Sequence, residues 1–280
     1  MYDVKDNKII LEHGSINKGI IAVASGKGGV GKSTVTVNLA TALAEIGYKV
    51  GIIDADVRGF SVPRILGLEE KPKAISEKEM LPPSVEGIKV ISMGSFVGEN
   101  SPVIWRAPLL GGALEQFFKD VHWGELDYLL LDLPPGTGDM PLNIMQKVPH
   151  AEILVITTPQ VTATKVAGRI GKMAEKMELD LLGVVENMSY YQCSECGHKD
   201  YIFGEGGGKE LAEFMETELL GKLPLISELR KRSDSGKPII FEEAESDISR
   251  EFIKVAEKIA EKEGGFDEKI EPLKLNMEVD

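Results

Sequence analysis

Cysteine is nearly missing from this chain of 280 residues: there are only Cys193 and Cys196, three positions apart. A disulfide scaffold is therefore excluded, and the pair needs a specific chemical account. No apolar run reaches the roughly eighteen residues of a membrane span. The opening MYDVKDNKIILEHGS has neither a cationic start nor an apolar signal core, so the expectation is a soluble, cytoplasmic protein. Positive charge is also short. Asp and Glu number 45 against 32 Lys and Arg, a formal net charge of -13. Such a surface repels phosphate backbones and anionic bilayers, which argues against nucleic acid or membrane as the main partner.

Against these absences stands one dense stretch, GIIAVASGKGGVGKST at residues 19 to 34. GIIAVAS is short, uncharged and rich in Ile, Val and Ala, as a buried strand requires. Gly26 to Ser33 then spell G-x-x-x-x-G-K-S, and a helix follows. Gly26, Gly28, Gly29 and Gly31 let the backbone turn tightly and aim N–H groups at one point, with Lys27 and Val30 between them. The helix N-terminus reinforces that anion cradle. Lys32 is placed to reach β- and γ-phosphate oxygens, the Ser33 hydroxyl to ligate magnesium, and Thr34 to open the helix beside them.

Downstream, strands and helices alternate, the pattern of a mostly parallel, doubly wound α/β sheet with helices on both faces. Residues 33 to 46 place Val35, Leu39, Ala42, Leu43 and Ile46 on one helical stripe that stops at Gly47. Strands are expected at 49–53, 87–95, 126–136, 152–158, 181–188 and 219–223. Further helices are expected at 107–121, 139–147, 162–177, 209–216, 227–232 and 244–263. Residues 57 to 103 read as irregular, broken by Pro63, Pro72, Pro82, Pro83 and Pro102. The expected organisation is a flexible lead-in over 1–18, a single nucleotide-binding domain over 19–263, an aperiodic cysteine loop at 189–208 and an acidic flexible tail over 264–280.

In open α/β sheets, ligands bind beyond the carboxyl ends of the strands, so acids there are the candidates for chemistry. Asp132, closing YLLLD, is placed to bind magnesium directly or through water. Asp56 is the candidate for positioning or deprotonating the attacking water, and Asp54 for a magnesium-linked water. In LPPGTGD, the glycines Gly136 and Gly138 free an N–H to meet a γ-phosphate, making Gly136, Asp139 and Asp56 a candidate sensor of triphosphate against diphosphate. Asn187 offers both a carbonyl and an amide to a purine edge, and Pro224 a surface to pack on the base.

The loop spelling GKGGVGKS, with a second lysine at Lys27, resembles the deviant phosphate loop of the nitrogenase iron protein, MinD and ParA class. That resemblance implies a homodimer in which Lys27 touches the partner's nucleotide, making Lys27, Lys32 and Asp56 the catalytic set. It also implies ATP as the nucleotide and a base pocket containing Asn187 and Pro224.

Cys193-Ser-Glu-Cys196 presents two thiols to one metal or cluster, whereas zinc and [4Fe-4S] sites generally take about four ligands. A symmetric dimer supplies four. Three readings stay open at this point: a bridging iron-sulfur cluster, a bridging zinc, and a redox-active or incidental pair. His198 reads as a solvated loop histidine.

WRAPLLGGALEQFFKDVHWGELDYLLLDLPPGTGD, VVENMSYYQCSECG and IFGEGGG, in that order, resemble the Mrp/ApbC-type iron-sulfur cluster carrier ATPases. The resemblance implies a slow ATPase that holds a labile [4Fe-4S] cluster between two copies. Cluster-assembly proteins would be its donors and apo iron-sulfur proteins its recipients. The four-cysteine N-terminal motif of some eukaryotic relatives does not occur here. The competing readings are a nucleotide-switched spatial organiser of the ParA or MinD type, with the cysteines a structural zinc clasp, and a small-molecule phosphotransferase or ligase.

Overall fold

The computed structural model describes residues 3–5, 8–57, 59–96, 107–148, 150–193 and 195–262. The expected acidic tail over 264–280, Pro102, and the Trp105-Arg106 start of the longest family-like run lie outside them. The first half of the chain contains β1 (Asp3–Lys5), β2 (Lys8–Leu11), β3 (Gly14–Ser25), α1 (Lys32–Glu45), β4 (Val50–Asp54) and α2 (Val62–Leu66). It continues with β5 (Lys73–Ala74), β6 (Met80–Leu81), β7 (Ser84–Val85), β8 (Ile88–Ser92), α3 (Ala107–Lys119) and β9 (Gly124–Asp132). The second half contains α4 (Asp139–Lys147), β10 (Ala151–Thr157), α5 (Val161–Lys176), β11 (Leu181–Glu186), β12 (Tyr191–Gln192) and β13 (Lys199–Asp200). It ends with α6 (Gly207–Phe214), β14 (Leu219–Lys222), α7 (Ser227–Asp234), α8 (Ile239–Glu242) and α9 (Asp247–Glu261).

The sheet runs in the order β14-β11-β10-β3-β9-β4-β8-β7, and every neighbour from β14 to β8 is parallel. Antiparallel pairing is confined to the β7 edge and to β1 and β2. Parallel strands are covered on both faces, which explains the unbroken Leu129-Leu130-Leu131 run. Leu129 and Leu131 point into a core capped by α3 to α6, through Phe117, Ile144, Ile170 and Leu211. Leu130 points into the opposite core, where Leu39, Leu66, Leu229, Ile240 and Phe252 bring in α1, α2, α7, α8 and α9. No helix among the described residues is long and apolar enough to cross a membrane.

α1 departs from its expected single stripe. Thr36, Val37, Asn38, Ala40 and Thr41 are buried with Val35, Leu39, Ala42 and Leu43, because α9, α8 and α2 pack against α1 as well as the sheet. Gly47, in the left-handed region at φ 98, ends it as expected. Pro63, read as an interruption, instead sits at the start of α2, where its missing N–H costs no hydrogen bond.

The lead-in also requires correction. Residues 8–18, expected to fray, form β2 and the first turns of β3, paired antiparallel through Ile9↔Ile16 and Leu11↔Gly14. Ile9, Leu11 and Ile16 are buried, and the period of two was hidden because the outward residue between Ile9 and Leu11 is the apolar Ile10. β3 then pairs with β9 from Gly14↔Gly124 onward. Ile9→Ala is therefore expected to cost about 2–4 kcal/mol in denaturant unfolding. A change within about 0.5 kcal/mol, as at exposed sites, would return this segment to a solvated tail.

Candidate functional site

β3 ends at Ser25, and the glycine loop crosses the carboxyl edge of the sheet to enter α1 at Lys32. Gly31 lies in the left-handed region at φ 82, and a Cβ there would collide with Asn187 Nδ2. Ser25 Oγ donates to the Lys27 carbonyl at 3.1 Å, and Asn187 Nδ2 to the Val30 carbonyl at 2.8 Å. These two bonds brace the loop from below and from the side. The loop forms one wall of a cavity of about 550 Å³ whose other walls include Asp56, Arg64, Pro135, Asn187, Pro224, Leu225 and Arg230. Lys27 through Thr34 all line it.

Strand register assembles the acids. Asp54 lies directly opposite Asp132 across the β4–β9 pair, at the strands' carboxyl ends. Lys32 Nζ stands 2.7 Å from Asp132 Oδ1, at ion-pair distance but off hydrogen-bond alignment, and 3.7 Å from Asp56 Oδ2. Ser33 Oγ donates to Asp132 Oδ2 at 2.6 Å, and Thr36 Oγ1 donates to Asp132 Oδ1 at 2.8 Å. Asp132 thus joins Lys32, Ser33 and the second turn of α1.

Asp54 is fully buried and outside the cavity lining. It accepts from the Asp56 backbone N–H at 3.2 Å and from Ser92 Oγ at 3.1 Å. Burial first, and the Asp132 carboxylate second, push its acid group up to about 8 from an ordinary 3.8. At neutral pH and with no added cation, Asp54 therefore holds its proton.

Several expected site residues make different contacts here. The Lys27 ammonium donates to Gln160 Oε1 of its own chain at 2.9 Å. The Gly136 N–H, expected to face a phosphate, donates to the Ser25 carbonyl at 2.8 Å. Gly138 caps α4, and Asp139 lies exposed in its first turn, away from the cavity lining. Asn187 lines the cavity as expected, with one amide hydrogen already committed to the loop.

Sequence reading missed Thr36, Ser92, Gln160 and Glu186, none of which belongs to a spaced motif. Glu186 is fully buried and accepts from Ser189 Oγ and the Gly208 N–H. It thereby closes both ends of the cysteine loop onto the end of β11. Within that loop, β12 and β13 form a small hairpin, with Cys193 and Cys196 at its tip. The Cys193 N–H donates to the His198 carbonyl and the Gly197 N–H to the Cys193 carbonyl, both at 2.9 Å.

Neither cysteine is in a disulfide, and Cys196 is exposed. The backbone N–H groups of Cys196 and then Glu195, followed by the Cys196 thiol, hold the Cys193 thiol below its ordinary value. The hairpin is also bonded to the cavity wall. The Leu225 N–H donates to the Tyr190 carbonyl at 2.7 Å, and the Ser189 N–H to the Leu223 carbonyl at 2.8 Å. Leu225 and its neighbour Pro224 both line the cavity.

The family model described as "ParA: NUBPL iron-transfer P-loop NTPase" matches residues 16–260. The chain is 48% identical over 250 residues to the iron-sulfur cluster carrier protein of Mycobacterium leprae, covering 87% of this chain and 65% of that one. It is 53% identical over 205 residues to the iron-sulfur cluster carrier protein of Bacillus subtilis, covering 73% of this chain and 58% of that one. The chain thus spans 58 to 65% of the length of these relatives. Among solved structures it is similar to a nucleotide-binding protein in complex with ADP from Archaeoglobus fulgidus. The identity is 43% and the TM-score 0.72, with 84% of this chain and 92% of that chain covered.

The raised pKa of Asp54 has a testable sign. A carboxyl group that holds its proton longer when folded supplies stability below about pH 4, and that stability is lost as pH rises toward about 8. Asp54→Asn keeps an acceptor for the Asp56 N–H and replaces the other oxygen by an amide that donates to Ser92 Oγ, without a charge to bury. The nucleotide-free variant is expected to exceed the wild type at pH 8 by about 1–3 kcal/mol and to match it near pH 4. Parallel pH profiles in urea unfolding would show that Asp54 is ionised throughout.

Proposed function

The chain belongs to the iron-transfer P-loop NTPase family, and from that premise we propose that it is a slow ATPase that carries an iron-sulfur cluster between two of its own copies. The observation that carries this reading is the bonded path from cavity to thiols: Leu225 in the cavity wall, Tyr190, then Cys193 at the hairpin tip. An ATPase whose product is ADP alone has no use for that path; a carrier that times the release of its cargo does.

ATP phosphates would sit on the N–H groups of residues 26–33, with Lys32 leaving Asp132 for the phosphate oxygens. Ser33 and Asp132 would hold magnesium, with Asp54 behind them, and their oxygen donors suit that ion. Magnesium bound there would neutralise charge between the β- and γ-phosphates. Asp56, on the cavity wall beside Lys32, would orient the attacking water. In the dimer, Lys27 would exchange Gln160 for the partner's nucleotide. The Gly136 N–H would exchange the Ser25 carbonyl for the γ-phosphate, with Asp139 following at the head of α4. Lys27 and the Gly136 N–H each have a partner within their own chain to return to once the γ-phosphate has left.

The cluster is cargo. One chain contributes two thiols, Cys193 and Cys196, and two chains together contribute the four that a [4Fe-4S] cluster takes. The exposed hairpin tip suits transfer to apo iron-sulfur proteins and loading by assembly proteins. Cys193, biased toward thiolate, is the ligand prepared to receive iron.

Anaerobic reconstitution is expected to give about four iron and four sulfide per dimer. The Cys193→Ser, Cys196→Ser double variant should lose both. Zinc alone, or iron retained without the cysteines, would reduce the hairpin to a structural clasp. Lys32→Ala should weaken ATP binding by about tenfold or more. Lys27→Ala should keep binding while lowering turnover by about a hundredfold. Equal turnover in Lys27→Ala would remove the cross-dimer role of that lysine.

A further inference from the structure

The opposite end of the sheet holds a second cluster of ligand-type side chains. His13 lies in the two-residue turn between β2 and β3, Glu79 immediately precedes β6, and His122 lies between α3 and β9. Glu79 Oε1 is 3.6 Å from His13 Nε2, and Glu79 Oε2 is 3.3 Å from His122 Nε2. The three donor atoms all lie within 4.8 Å of one another. All three side chains are partly buried, at 21%, 38% and 32% exposure for His13, Glu79 and His122. The two imidazoles stack, with centroids 3.9 Å apart and planes 10° from parallel.

Three separate segments are held together here by their main chains. The Gly124 N–H donates to the His13 carbonyl, the His122 N–H to the Met80 carbonyl and the Met80 N–H to the Asp120 carbonyl, each at 2.9 Å. The side chains therefore converge on a backbone frame that exists without them.

We propose that His13, Glu79 and His122 form a site for one divalent transition cation of the zinc type. A tetrahedral ion with metal–ligand bonds of about 2.0–2.1 Å sets its ligand atoms about 3.3 Å apart, the separation of His122 Nε2 from Glu79 Oε2, while His13 Nε2 faces the other oxygen of the same carboxylate at 3.6 Å. Two imidazoles and one carboxylate favour zinc, cobalt or nickel over magnesium or calcium, whose ligands are oxygens. Water supplies the fourth ligand from the open side. Parallel rings do not aim their lone pairs at one point, so loading turns the imidazoles out of their stack while the main-chain frame stays in place.

The site is independent of the nucleotide and of the thiols. It lies where β3 begins, at the Gly14↔Gly124 pair, and the glycine loop follows the other end of that 12-residue strand. At about 3.3 Å per residue, the separation is roughly 35–40 Å. A cation here would clamp the N-terminal hairpin to the α3–β9 connection and to the turn before β6. Its role is to secure the antiparallel hairpin that β1 and β2 add to a parallel sheet.

The test is zinc alone, titrated calorimetrically into the full nucleotide-free chain bearing Cys193→Ser and Cys196→Ser, with cobalt as an optical reporter. The expected result is one zinc per chain, a cobalt spectrum of nitrogen–oxygen coordination, and no displacement by magnesium. Adding the near-isosteric Glu79→Gln, or His122→Ala, should weaken binding by about tenfold or more while ATP binding, which reports an intact fold, is unchanged. Zinc should also raise the melting temperature of the parent by about 5 °C at a hundredfold excess over Kd, but not that of Glu79→Gln. No saturable zinc binding, or binding that neither substitution alters, would overturn the proposal.

Discussion

Two carboxyl groups side by side in an environment without water are tolerable only if something offsets them, and the register of β4 against β9 imposes that situation on Asp54 and Asp132. The chain answers with Lys32, the Ser33 and Thr36 hydroxyls on Asp132, and a proton on Asp54. The glycine loop depends on this arrangement, because Lys32 and Ser33 are at once its last residues and the partners of Asp132. The charge balance of the sheet edge therefore rests on one lysine and two hydroxyls at the start of α1.

The same edge connects to the cysteine hairpin through short covalent distances rather than through a long relay. β11 ends in Glu186 and Asn187, adjacent in sequence but committed in different directions. Asn187 braces the glycine loop at the Val30 carbonyl, while Glu186 ties down Ser189 and Gly208 at the two ends of the cysteine loop. The Leu225–Tyr190 bond adds a second tie from the cavity wall. The loop and the base of the hairpin are thus separated by only a few bonded groups.

Much of this was legible locally. The helix over 139–147 and the strand ending at Asp54 lie at or within one residue of their expected bounds, while the central strand starts two residues before and ends four residues before the expected 126–136, because Pro134 to Gly136 already belong to the turn. Legibility failed where a segment's partner is remote. Ile9 and Leu11 are separated by the exposed Ile10 and Ile16 stands alone between polar residues, and only the β2–β3 pairing shows why the three are apolar. Pro63 reads the same whether it breaks a chain or opens a helix. Gly136 announces a mobile turn, yet nothing local indicates that its N–H rests on the Ser25 carbonyl.

Sequence by itself determined the glycine loop and the thiol pair, because both are contiguous: glycines, a lysine and a serine at fixed spacing, and two cysteines on one turn. It also determined the layered α/β architecture, since a parallel sheet covered on both faces demands uninterrupted apolar strands. Tertiary structure alone decided which acid is neutral, which lysine is paired to which carboxylate, and how the hairpin is bonded to the cavity. It also decided that His13, Glu79 and His122 converge at the far end of the sheet. Spacing encodes what neighbours along the chain can do together. Burial, register and charge compensation arise between residues that meet only when the sheet forms.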